Sequence, residues 1–372
     1  YQPEKSVHTL IPTSGDTSGG SIVRVEGSGF EDGELECSFG GRVVAATLIT
    51  SQLLECRAPS QATAGAVLVE VSCNGGFDFS QSAMAFTYYE GATVVTLSPP
   101  HGPTQGRTLV SVRGTNFLPT LTLRCRFGTS EVVAAFVSKT LVNCSAPSAL
   151  AAAVALEVTT NGFHFSNSSV VYLYQAAPQV LALTPASGPT WGAANVSVIG
   201  ANFLQGSYCR FGELEASRVL WLSPFELVCE SPAQPSGRYA VEVTANVQDW
   251  TDSSIEFTYH TPLRVDVVSP TLGPEHGGTL VEVVGEGFVP SSGLVCRFGA
   301  GSQPVLARWV NASLVLCRTS AQPVGNVTVR ASNNNQQYGV AGLQFEFQRA
   351  MVVDSVTPSE GPVGGGTWVA VR

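Results

Sequence analysis

A repeat of about 86 residues constrains the fold of this chain more than any other feature. The motif Pro-x-x-Gly recurs as Pro12/Gly15, Pro99/Gly102, Pro185/Gly188, Pro270/Gly273 and Pro358/Gly361, with the prolines 87, 86, 85 and 88 residues apart. In the first four copies a Phe follows the Gly by 15 positions, at Phe30, Phe117, Phe203 and Phe288, and Gly or Asn precedes each one. A Phe-Gly pair comes next (Phe39, Phe127, Phe211 and Phe298 with their glycines), with a Cys two positions before each Phe. A fixed period of this length marks one folding unit used repeatedly. The expected domains are residues 1–89, 90–175, 176–260 and 261–348, with the start of a fifth at 349–372. Each is long enough to bury its own core.

Between these marks the apolar pattern has period two. Val67-Leu-Val-Glu-Val71, Val154-Ala-Leu-Glu-Val158 and Tyr239-Ala-Val-Glu-Val243 are short runs suited to strands, as is Val327-Thr-Val-Arg330. Each unit closes on an aromatic pair two residues apart, Phe86/Tyr88, Tyr172/Tyr174, Phe257/Tyr259 and Phe345/Phe347, so both rings lie on one face of a strand. With 38 Gly and 22 Pro to punctuate the runs, the expected fold is all-β: about seven strands per unit in a tandem immunoglobulin-like β-sandwich. Linkers are too short for flexible tethers, so the expected whole is an elongated rod. At roughly 35–45 Å per module it would reach about 150 Å.

The stretch SPTLGPEHGGTLVEVVGEGFVPSSGLVCRFG in the fourth unit resembles the IPT/TIG family of immunoglobulin-like, E-set-like domains. TPASGPTWG, SPPHGPTQGRTLVSVRGTNF and the terminal TPSEGPVGGGTWVAV carry the same signature. Members occur in plexins and growth-factor receptors, in fibrocystin-like ciliary surface proteins, as accessory modules of carbohydrate-active enzymes and in certain transcription factors. Tandem copies with a cysteine pair each look most like the extracellular branch. Fold likeness does not choose among adhesive, structural and receptor roles.

Eight of the nine cysteines fall one pair to a unit: Cys37 with Cys56, Cys125 with Cys144, Cys209 with Cys229 and Cys296 with Cys317. No close Cys-x-x-Cys or Cys/His cluster suggests a metal, so disulfides are expected, with unpaired core thiols the alternative. They imply the secretory pathway and an extracellular or cell-surface location. Pro59, Pro147 and Pro232 follow the second cysteine by three residues, whereas the fourth unit has Ser320 there. Five Asn-x-Ser/Thr sequons, at Asn143, Asn167, Asn195, Asn311 and Asn326, are candidate N-glycan sites. Asn143 is compromised by Cys144 in its middle position.

Net charge is -9 and basic residues are scattered, which argues against nucleic acid as a partner. No apolar run of about 18 residues spans a bilayer, and YQPEKSVHTL lacks a signal peptide's apolar segment. The chain is therefore expected to be part of a longer protein, with any membrane anchor outside it. No catalytic motif or cofactor site is found. The acidic pair Glu31/Asp32 reads as a solvated loop, and His8, His101, His164, His260 and His276 form no repeated constellation.

The last hairpin of each unit carries the remaining functional signal. Its candidates are Phe77 and Phe79, Phe163 and Phe165, Trp250, and Tyr338, following Asn74, Asn161, Asn246 and Asn333 respectively. Asn-Gly favours a tight turn. The rings either pack under their own hairpin or against the next module, or stand exposed for a protein or sugar. Cys73 has Thr160, Ala245 and approximately Ala331 as counterparts. At a hairpin's start it is expected to be reachable, as a free thiol or an intermolecular link, with a core-filling side chain the alternative. The leading expectation is a non-catalytic structural or adhesive glycoprotein segment that binds proteins of its assembly, other copies of itself included. A receptor ectodomain and an accessory region of a carbohydrate-active enzyme are the alternatives.

Overall fold

The computed structural model describes residues 4–339 and 342–372, so the first three residues of the first expected domain lie outside the described residues. The chain divides into two units, Tyr1–Ala177 and Pro178–Arg372. Each holds two β-sandwiches of one design.

The first sandwich consists of β1 (Ser6–Ile11), β2 (Ser14–Asp16), β3 (Ile22–Ser28), β4 (Glu36–Phe39), β5 (Arg42–Thr50), β6 (Leu53–Arg57), β7 (Gly65–Ser72) and β8 (Met84–Tyr89). They hydrogen-bond in the order β1-β3-β6-β5-β4-β7-β8-β2, a sheet curled on itself, with β5 serving both layers. The expected seven strands become eight because Pro12 splits the first. Proline has no N–H to continue a ladder, so the chain leaves its antiparallel pairing with β3 and resumes parallel to β8. The peptide bond before each repeat-marking proline is cis. Alternation follows the period-two reading: Val23 and Val25 are buried, whereas Ile22, Arg24 and Glu26 face out.

The core is built on the recurrent aromatics. Phe86 and Tyr88 pack edge to face at 5.1 Å, and Phe39 meets Phe86 at 5.4 Å. The same trio recurs as Phe127/Tyr172/Tyr174, Phe211/Phe257/Tyr259 and Phe298/Phe345/Phe347. Tyr88 also donates its hydroxyl to the Pro59 carbonyl at 2.8 Å, and burial pushes its pKa up to about 12. In the fourth module both parts of this link are changed, to Phe347 and Ser320.

Two glycine preferences have direct causes. The residue before Phe30, Phe117, Phe203 and Phe288 adopts a left-handed φ of 77°, 59°, 61° and 80°, which Gly and Asn tolerate. The Pro-x-x-Gly glycine faces the closing aromatics: a Cβ on Gly102 would lie 2.1 Å from Tyr172 Oη and 2.3 Å from Thr108 Oγ1. Gly102→Ala is therefore expected to destabilise the second module by about 1–3 kcal/mol through overpacking. Denaturant unfolding of the variant checks this.

The second and fourth modules repeat the eight-stranded order. The third does not close: the strand equivalent to β5 is broken into Leu214–Glu215 and Arg218–Ser223, leaving separate four- and five-stranded sheets. Beyond the fourth sandwich, Val356–Thr357 pairs with Ala370–Val371.

Candidate interface on the closing hairpins

Each module carries its disulfide across the core. Cys37–Cys56 joins β4 to β6, the two neighbours of β5, with Cα atoms 6.3 Å apart. Cys125–Cys144, Cys209–Cys229 and Cys296–Cys317 repeat the link at 6.3, 6.3 and 6.1 Å, all within the usual span. Cys73 is unpaired and 4% exposed, packed in the first core. The expectation of a reachable thiol is corrected: Cys73 follows Val69 and Val71 at period two onto the same buried face. Strand register also corrects its fourth counterpart. Ala331 pairs with Cys296 as Val71 does with Cys37, so the residue equivalent to Cys73 is Asn333, two positions later.

The hairpin turns are organised by one asparagine each. Asn161 Oδ1 accepts from the Phe163 and His164 amides at 3.0 and 2.9 Å, and Asn246 Oδ1 from Gln248 and Asp249 at 3.1 and 2.9 Å. In the fourth module this residue is Asn334, accepting from Gln336 and Gln337 at 3.1 Å each. Both are buried, but Asn333 bonds elsewhere: its Nδ2 donates to the Gly287 carbonyl and its Oδ1 accepts from the Val289 amide. Three consecutive asparagines concealed this one-residue offset.

The six aromatic candidates divide into two groups. Phe77 and Phe163 stand exposed at the tips, at 87% and 57%. Phe165, Trp250 and Tyr338 are half-buried, each beneath the arginine of the Cys-Arg-Phe segment: Arg126, Arg210 and Arg297 lie 3.9, 4.4 and 4.3 Å from the ring centroids. Phe79 is half-buried too, but Ser38 replaces the arginine in the first module. The signal for these cation–π stacks was present in the sequence as Cys-Arg-Phe against Cys-Ser-Phe.

Within each unit the second module's hairpin bonds to the module before it. In Tyr1–Ala177, Asn161 Nδ2 donates to the Ser14 carbonyl at 3.3 Å and to His164 Nδ1 at 3.1 Å, with Ser21 Oγ 3.4 Å from the same ring nitrogen. In Pro178–Arg372, Asn334 Nδ2 donates to the Ser187 carbonyl at 3.4 Å, and Gln337 Nε2 to that of Ala193 at 2.6 Å. Gln336 brackets Asn195, accepting from its amide and donating to its carbonyl, both at 2.8 Å. Ser14 and Ser187 both immediately precede the Pro-x-x-Gly glycine, so the two contacts are equivalent.

Burial lowers the His164 pKa, and the Asp16 carboxylate opposes this more weakly. A proton on Nδ1 would also set a donor against the Asn161 amide. A group whose pKa is lowered by docking favours the docked state above its ordinary value of 6.5 and opposes it as pH falls below. The junction of the first two modules is expected to be intact at neutral pH and to loosen progressively in acid. Hydrogen-exchange protection at the Asn161 turn, after correction for the intrinsic slowing of exchange in acid, should fall as the pH drops below the ordinary histidine value of 6.5 in the native chain, and His164→Gln should flatten that dependence.

Of the sequon residues, Asn167, Asn195, Asn311 and Asn326 are exposed. Asn143 is half-buried, accepts from Ser111 Oγ at 3.0 Å and precedes the bonded Cys144. Among the described residues no group of three or more His, Cys, Asp or Glu could hold a metal ion.

Residues 6–88, 92–174, 178–259 and 263–347 match the IPT/TIG domain, and the chain belongs to this family as four tandem copies. It is 24% identical to mouse fibrocystin-L over 379 residues, which covers 98% of this chain and 8% of the relative. It is 25% identical to mouse plexin-A4 over 206 residues, 52% of this chain and 11% of the relative. The chain thus spans about a twelfth of fibrocystin-L. Among solved structures, the full extracellular region of plexin A4 aligns over 98% of this chain and 43% of that one, at 16% identity and a TM-score of 0.39. Disulfide-bonded tandem IPT/TIG domains define an extracellular or cell-surface protein segment.

Proposed function

We propose that this chain is a structural or adhesive segment of an extracellular glycoprotein, a rod that spaces or connects components at a cell or cilium surface or in a fibre. The observation that carries this reading is the repeated bonding of a closing hairpin to the preceding module, at Ser14 and again at Ser187. Modules held in this way act as stiff pairs, which a spacer needs. The domain limits of 1–89, 90–175, 176–260 and 261–348, with a fifth beginning at 349, belong to the same reading. So do glycans on the four exposed sequons, partners within a surface assembly, and any membrane attachment through regions outside this chain.

A ligand-binding receptor ectodomain is the second reading, favoured by the exposed Phe77 and Phe163. Small-angle scattering of the chain tests the first, with an extended particle of about 150 Å expected. A compact particle would refute it. Loss of partner capture in Phe77→Ala with scattering unchanged would favour the receptor.

A further inference from the structure

The arginine stacked on the hairpin ring has a constant electrostatic setting in the middle modules. Arg126 lies in register between Glu157 on one neighbouring strand and Glu131 on the other, and its Nε donates to Glu157 at 3.1 Å. Arg210 lies likewise between Glu242 and Glu215, its Nε donating to Glu242 at 2.7 Å. In the fourth module both carboxylates are gone. Arg330 stands opposite Arg297, and the ladder on the other side stops at Cys296↔Val305, so no residue pairs with Arg297 there. Like charges directly opposed on adjacent strands are unfavourable. Arg297 keeps its ring, Tyr338, yet its Nε is closed off from solvent and has no hydrogen-bond partner among the described residues. Among the described residues neither arginine has an ion pair. Together with Gly299, Ala300, Thr328 and Tyr338 they line a cleft of about 130 Å³. This is well above the roughly 10–15 Å³ that one water needs.

We propose that the Arg297–Arg330 cleft is a binding site for a carboxylate, the Asp or Glu side chain of a partner protein. The middle modules supply the precedent: the same arginine, on the same kind of ring, takes a glutamate on a short aliphatic stem. Arg330, which lines the cleft, is exposed. A carboxylate in the cleft would set one oxygen against Arg297 Nε and the other against the Arg330 guanidinium. Paired guanidinium donors suit such planar groups. The site stands independently of the spacer reading, because its readout is local to the fourth module.

The test follows the arginine Nε–H resonances of the 372-residue chain during titration with acetyl-Gly-Glu-Gly-amide, its Gln counterpart and a sulfated disaccharide. The Arg297 resonance should shift with the Glu peptide and not with the Gln peptide. Arg330→Glu, which recreates the pairing of the middle modules, should weaken binding about tenfold or more. Arg330→Gln, without a new ion pair, should weaken it less. No shift with the Glu peptide, or undiminished binding by Arg330→Glu, overturns the proposal. A shift with the disaccharide alone also overturns it, by making the cleft a glycan site.

Discussion

Phe127→Ala is expected to destabilise the second module by about 3–5 kcal/mol, a large part of the stability of a domain this size. Phe127 is 3% exposed and meets Tyr172 and Tyr174 edge to face at 5.2 and 6.4 Å. Its loss opens a cavity in a core that the disulfide and the closing pair hold in shape. Phe77→Ala is the control: a ring 87% exposed should change stability by no more than about 0.5 kcal/mol. Denaturant titration of both variants checks the contrast. Equal effects would mean that the recurrent Cys-x-Phe-Gly ring is not the centre of the core.

Replacing Cys125 and Cys144 together by alanine should cost about 3 kcal/mol, the entropy released by opening a loop of about 20 residues. Both cysteines are fully buried, so the space left where alanine replaces each sulfur adds to this cost. Comparing unfolding of the variant with that of the oxidised native chain measures the cost. Cys73 offers the opposite case. Buried in the first core, it should resist alkylation in the native chain and react fully on unfolding.

The repeat made most of the fold legible. The aromatic pairs two residues apart, the Gly or Asn before each Phe and the spaced cysteines all reflect local geometry that recurs in every module. What was not legible depended on long-range register. A reachable Cys73 followed from its place beside a turn, but it continues the inward face of Val69 and Val71, which the pairing of β7 with β4 sets against the core. Asn333 and Asn334 are identical in the sequence, and only the strand pairing tells which one turns the chain. The hairpin contacts with Ser14 and Ser187 join residues 147 positions apart, beyond any periodic signal. The arginine reversal at Arg330 was visible as Val327-Thr-Val-Arg330 against the glutamates of the other copies. Its meaning needed the cross-strand partner, Arg297.

The stiff pairing of modules is the central claim, and a distance distribution measures it most directly. Spin labels carried by genetically encoded amino acids at Leu220 and Leu306, both exposed, would report on the third and fourth modules. The native chain should give a single narrow distance. The distribution should broaden when Asn334, Gln336 and Gln337 are replaced together by alanine, since those side chains supply the bonds to Ser187, Ala193 and Asn195. A broad distribution in the native chain would contradict the account and leave these domains as independently tumbling beads.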